Sequence, residues 1–289
     1  MKFNKKRLLP LGVCLLAFAM VALMADKQWS EKQQQIDLIT EFYKDHLSRP
    51  DQRQAAQVPA GTFYSKALEE LVDANNQLCY ALSRGDEICG YGADGDVFLD
   101  TQEVPPSLDF ERAGFKVERT GENTVEASFN VYPDMGAAYE RRIRYTLVFD
   151  EDKGWRVDDM HFSQGQGRSM REELQQENDA VLARARDLSD TAGWVFNYLG
   201  REDMLDRAMR FIDFPVQVCD QYGICAALKR DDQQLMQALD MLAERNLDLG
   251  TLPKSGEIQA ADGKVVGIGP LDFTFRNRAW WVTKVDLRR

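Results

Sequence analysis

Histidine is almost missing from this chain: His46 and His161 are the two among 289 residues, and none follows position 161. Imidazole chemistry is thereby excluded from the second half and has one pair of residues to work with in the first. No Gly-x-Ser-x-Gly turn presents a serine nucleophile, and no nucleotide-binding signature occurs. Cysteine is scarce as well. Beyond position 25 the four are Cys79, Cys89, Cys219 and Cys225, at spacings Cys-x9-Cys and Cys-x5-Cys. Zinc knuckles do not use these spacings, so neither a metal nor an organic cofactor is expected.

Charge is absent from Leu8 to Ala25, and Lys2, Lys5, Lys6 and Arg7 precede that run. A helix of this length reaches about 27 Å, enough for a thin hydrocarbon core. Residues 1–25 therefore read as a signal peptide or signal anchor, with Ala25 at an imperfect cleavage site and Trp29 placed for an interfacial belt. Val13 before Cys14 argues against lipidation. Because the cations lie only on the N-terminal side, everything after the run is expected outside the cytoplasm, in the periplasm, tethered by residues 8–25 if these are retained. In such a compartment the four cysteines pair. Three connectivities exist; local pairing, Cys79 with Cys89 and Cys219 with Cys225, closes short loops and leaves no free thiol.

Basic residues are in deficit, 36 Lys and Arg against 47 Asp and Glu, a net charge of -11. Such a surface repels phosphate backbones and anionic headgroups, which excludes nucleic acid and leaves the membrane only through the N-terminal segment. It suits solubility or the steering of a basic protein partner. Oligomeric state is not encoded in any pattern here.

About 264 residues remain after the leader, room for two modest cores. Ile36, Leu38, Ile39, Phe42, Tyr43 and Leu47 keep helical spacing until Arg49-Pro50, and a second helix is expected over Ser65 to Leu78. Alternation at Val125 to Val131, Ile143 to Phe149 and from Trp155 predicts strands, the last two joined at Glu151-Asp152-Lys153-Gly154. The polar run Ser163 to Ser169 marks a boundary. Beyond it come helices over Met170 to Leu188 and from Trp194 to a stop at Gly200, a strand over Phe211 to Val218 and a helix over Asp231 to Arg245. Four strands follow, at Glu257 to Ala260, Val265 to Ile268, Leu271 to Phe275 and Trp280 to Leu287, with Ala261-Asp262-Gly263 a hairpin turn. The pair Tyr145–Phe149 and Gly154–Asp158 parallels Leu271–Phe275 and Ala279–Asp286. Helices first and antiparallel strands last, twice over, imply an α+β chain of two like domains: 33–162, a linker and connecting helix at 163–189, and 190–289.

The opening helix with its Phe/Tyr stripe, the stretch Asp94-Gly-Asp-Val-Phe-Leu-Asp-Thr-Gln-Glu103 and a meander closing on Gly154-Trp-Arg-Val-Asp158 resemble a bacterial envelope family of unknown function with the nuclear-transport-factor-2-like cone fold. Ile212-Asp-Phe-Pro-Val and Trp280 to Leu287 resemble it more loosely. The resemblance implies two tandem cones, helices wrapped by a curved antiparallel sheet, and a fold more than an activity.

Asp94, Asp96, Asp100 and Glu103 crowd a short stretch. As a calcium loop the register fails, since Gly90 and Gly92 would occupy positions that need carboxylates; a solvated or partner-binding acidic loop is expected. Were domain 1 an acid-base enzyme or a small-molecule site, His46, His161, Tyr43 and Tyr145 would have to face one another across the cone pocket. With so little catalytic material, the expected function is binding a protein partner in the envelope, in a specific form as an immunity or inhibitor protein. The large aromatics are assigned to the cores. Trp280 and Trp281 cannot both point inward from one strand, so one is expected at the interdomain contact or in solvent, where an exposed ring would be a candidate interface anchor.

Overall fold

The computed structural model describes residues 9–48, 61–83, 88–103, 108–163, 167, 169–201, 204–245 and 249–289, with side chains from Trp29 onward. The leader cations, the side chains of residues 8–25, Arg49-Pro50 and most of the Ser163–Ser169 run lie outside the described residues. Among those whose side chains are described, no helix is long and apolar enough to cross a membrane. The chain is α+β with two sheets. It divides into two compact units, Met1–Val72 with Asp94–Glu173 and Asp73–Ala93 with Leu174–Arg289. The second therefore takes residues 73–93, which the expected boundaries place in the first domain.

In unit 1, helix α1 (Leu9–Ser48) turns Gln35, Ile39, Tyr43 and Leu47 inward, one residue per turn. It lies on strands β1 (Lys116–Arg119), β2 (Thr124–Asn130) and β4 (Gly154–Phe162). With β3 (Glu140–Asp150) these form an antiparallel meander in the order β1-β2-β3-β4. Alternation sorts the two faces: Val125, Ala127 and Phe129 of β2, and Ile143, Tyr145 and Leu147 of β3, are buried, while their neighbours face outward. The expected β3–β4 hairpin forms, its turn held by the Asp150 carboxylate accepting from the N–H groups of Asp152 and Lys153. Helix α2 (Lys66–Leu82) starts where expected, with Ser65 Oγ accepting from Leu68 N–H. Just before it, Tyr64 makes a parallel bridge to Val157 of β4, through Ser65 N–H to Val157 C=O at 2.7 Å and Val157 N–H to Phe63 C=O at 2.8 Å.

Unit 2 holds α3 (Met170–Arg186, from Leu174 on), α4 (Leu188–Leu199) and α5 (Leu205–Ala208). Asp187 separates α3 from α4 because its carboxylate accepts from Ser189 N–H, starting a new helix. Strands β5 (Ile212–Cys219), β6 (Cys225–Leu228), β7 (Val265–Ile268), β8 (Leu271–Arg276) and β9 (Ala279–Asp286) form a sheet in the order β6-β5-β9-β8-β7. The β5–β9 pair is parallel, the others antiparallel. Helix α6 (Gln233–Ala243) buries Leu235, Leu239 and Leu242 in the same core as Phe211, Phe273 and Trp280. Each such aromatic removes about 150–250 Å² from water, roughly 4–6 kcal/mol before ordering entropy.

Four expectations need correction. Glu257 to Ala260 is turn and irregular chain, not a strand; Ile258 still rests on the core. The four-residue strands β1 and β6 were not expected, being too short for a periodicity to show. Trp280 is fully buried as expected, but Trp281 is neither an exposed ring nor a free anchor: it packs on a second cluster of Cys79, Leu82, Val181 and Ala185 on the other face of β9. Both disulfides form as local pairs, Cys79–Cys89 and Cys219–Cys225, yet both lie in unit 2 instead of one in each half.

Candidate functional site

The inner face of the first sheet carries a buried chain of polar groups. Tyr43 and His46 come from α1 one turn apart, Tyr145 comes from β3, and the segment 96–100 supplies the rest. The Tyr43 and Tyr145 hydroxyls stand 2.6 Å apart, and the Tyr43 hydroxyl donates to the Phe98 carbonyl at 2.7 Å. Both tyrosines are 0% exposed. His46 Nε2 lies 2.7 Å from Asp96 Oδ2, and Asp96 Oδ1 accepts from the N–H groups of Phe98 at 3.0 Å and Leu99 at 3.2 Å. The Asp96 carboxylate is thus committed to capping its own turn and to His46. That turn is tight: Gly95 has φ 147°, and a Cβ there would stand 2.4 Å from the Thr101 carbonyl oxygen.

Aromatic rings fill the space around this chain. Phe42 stacks on His46 and on Phe63, Phe98 meets the imidazole edge-on, and Phe115 and Phe129 flank Tyr43. Burial pushes the Tyr43 hydroxyl well above its ordinary pKa, so it stays a protonated donor and cannot act as a base near neutral pH. His161 is not part of the group. It faces outward because its neighbours Met160 and Phe162 face the core, and it stands 3.6 Å from Asp159 Oδ2. Three of the four residues proposed for acid-base chemistry are therefore gathered, and the fourth is on the opposite face.

The acidic stretch is divided in the same way. Asp94 and Glu103 are exposed, Asp94 accepting from the Gln102 amide. Asp96 is 4% exposed and unavailable to a partner. Asp100 is half-buried in a left-handed conformation, φ 48°, and desolvation raises its pKa from the ordinary value, opposed by the nearby Arg141 charge. Among the described residues the grouping that could hold a metal is Cys79, Cys89 and Glu177, but its sulfurs are joined to each other, which leaves no thiolate.

Unit 2 offers a feature that the sequence reading passed over. Between Cys219 and Cys225 the chain makes a tight loop whose Tyr222 and Ile224 are 80% and 72% exposed. The Asp220 carboxylate accepts from the N–H groups of Tyr222 at 2.8 Å and Ile224 at 2.9 Å, while Asp220 N–H donates to the Ile224 carbonyl. Gly223, φ 85°, lies against Arg288, a Cβ there meeting Nη1 at 2.9 Å. Arg288 is itself held by both oxygens of Asp286. A bridge, three hydrogen bonds and a guanidinium thus hold two large apolar side chains out in solvent. The signal was in the sequence: Tyr and Ile inside a Cys-x5-Cys loop with Asp and Gly have no core to enter.

No family model matches the chain, and no curated protein matches it. A search of solved structures returns a protein of unknown function from Bacteroides thetaiotaomicron, 17% identical, the alignment covering 48% of this chain and 98% of that one with a TM-score of 0.32. A superposition so loose carries no argument about fold or function.

Proposed function

We propose that the protein is a non-catalytic binding protein of the cell envelope that engages another protein, and in its specific form an inhibitor or immunity protein occluding a basic toxin or hydrolase. The observation that carries the reading is the Cys219–Cys225 loop. Ordering two apolar side chains in water lowers stability unless the ordering is recovered on binding, and a pre-ordered aromatic anchor is what protein interfaces concentrate their energy on. The two disulfides point to an oxidising compartment, in agreement with export by the residue 1–25 leader. The net charge of -11 favours a cationic partner.

Two cones related by duplication are part of the same reading. In its support, the Tyr64 bridge beside β4 stands where β5 stands beside β9, parallel in both cases, and each last strand pairs antiparallel with the one before it. The alternative, an acid-base enzyme or small-molecule carrier in the first cone, needs hydroxyls open to a substrate. The burial of Tyr43 and Tyr145 and the distance of His161 from them in the fold weigh against it.

The test is affinity capture from envelope extracts with the full chain and with the Tyr222→Ala, Ile224→Ala double variant. A basic protein should be retained at low salt, released as salt rises, and retained at least about tenfold less by the double variant. Equal retention by both forms would remove the loop from the interface, and no salt-sensitive protein at all would remove the reading.

A further inference from the structure

A different part of the molecule, independent of the protein-binding reading, suggests a small-molecule site. On the outer face of the first sheet Lys116 of β1, Ser128 of β2 and Arg142 of β3 stand in one row, Lys116 opposite Ser128 and Ser128 opposite Arg142. Strands lie about 4.8 Å apart, so the two cations flank a small hydroxyl residue across roughly 10 Å and reach over it. In a chain with 47 carboxylate residues against 36 cationic ones, neither has an ion-pair partner among the described residues. Next to this row opens a cleft of about 330 Å³, lined also by Asn130, Glu140 and Arg141. That is within the size range of small-ligand sites, roughly 300–1,000 Å³.

Behind the cleft, Arg141 lies on the inner face of β3 with Ile143 and Tyr145. It is 9% exposed, and its hydrogen bonds go to neutral acceptors, Nε to the Asp100 carbonyl at 3.0 Å and Nη1 to the Glu140 carbonyl at 3.2 Å. The nearest carboxylate oxygen, Asp100 Oδ2, is 3.9 Å from Nε and makes no hydrogen bond. Arg141 is thus ion-paired with Asp100 without a direct hydrogen bond, and its charge is largely offset there. Lys116 and Arg142 are thus the cations without an ion pair among the residues that line the cleft, and Glu140 is the acidic one.

We propose that this cleft binds a small oxyanion-bearing molecule, its phosphate, sulfate or carboxylate group held by Lys116, Arg142 and the Ser128 hydroxyl. Guanidinium and ammonium donors around a hydroxyl match a multi-oxygen anion, whereas a cation or a neutral apolar ligand would find no complement there.

Calorimetric titration of the full chain with inorganic phosphate, sulfate and citrate, at ionic strength held constant with sodium chloride, tests the site. At least one of these anions should bind and, at about ten times its Kd, raise the thermal midpoint by roughly 2–4 °C over the chloride control. The tetrahedral and carboxylate arms identify the preferred group. Lys116→Ala and Arg142→Ala should each weaken binding at least about tenfold, Asp100→Asn should keep or tighten it, and Lys66→Ala, elsewhere on the surface, should leave it unchanged. Absence of binding by all three anions overturns the proposal, and so does binding that survives the Lys116→Ala, Arg142→Ala double variant with unchanged circular dichroism.

Discussion

Individual residues in the first unit show how far type and position disclose role. Tyr43, Tyr145 and His46 can be picked out as chemically capable, and they do come together, but the sequence does not tell that the first two satisfy each other and are sealed by phenylalanines. Tyr43→Phe should therefore reduce stability by about 1–3 kcal/mol in urea denaturation, because it removes the buried donor to the Phe98 carbonyl and the hydroxyl that meets Tyr145. For His161 the answer was legible and missed: Met160 and Phe162 on either side need the core, so alternation sends the imidazole outward. Gly95→Ala should cost about 2 kcal/mol or more, since its Cβ would strike the Thr101 carbonyl and Gln102 Cα, both main chain. In unit 2 the hydrogen bonds from Arg288 hold the Asp286 carboxyl far below the usual carboxylate range. The unfolded chain then takes up a proton that the folded one refuses, so this contribution is present at neutral pH and is lost as pH falls below about 4. Asp286→Asn should lower the denaturation midpoint at pH 7 and flatten its decline between pH 4 and 2.

Secondary-structure elements were more legible than single side chains where periodicity had length to act over. The strands β2, β3 and β8 and the helices α2 and α6 follow the alternation and helical spacing in the chain, because each buries one face more than the other, while β9 packs on both faces. What failed was short or ambiguous. β1 and β6 have four residues each, and Glu257 to Ala260 has apolar residues at Ile258 and Ala260 without a neighbouring strand to pair with. Ser65→Ala should destabilise by about 1 kcal/mol, since Ser65 Oγ both caps α2 and donates to Asp158 Oδ1 at 2.6 Å. Replacing Cys219 and Cys225 together by serine should lower stability by about 2–3 kcal/mol in the loop-entropy account. It should also free Tyr222, read as a faster exchange of the Tyr222 and Ile224 amides with deuterium.

At the scale of the whole molecule, composition told of two cores and an acidic exterior but not of where one unit stops, because the linker-like run at 163–169 is conspicuous and the change of allegiance within α2 is silent. Since both bridges belong to the second unit, a reductant should lower the stability of that unit while the first keeps its midpoint. Denaturant titrations with and without dithiothreitol, followed by Trp155 in unit 1 against Trp194, Trp280 and Trp281 in unit 2, check this. The interleaving of the two units has a further outcome during biosynthesis. Residues 73–93 leave the ribosome some eighty positions ahead of Leu174, the first of the C-terminal residues that complete their unit. The nascent protein can finish its first globule while Cys79, Leu82 and their neighbours still wait uncovered for α3 and β9. A gene fragment cut at the obvious polar seam would make that interval permanent, yielding a piece that carries an orphaned, sulfur-bearing apolar segment.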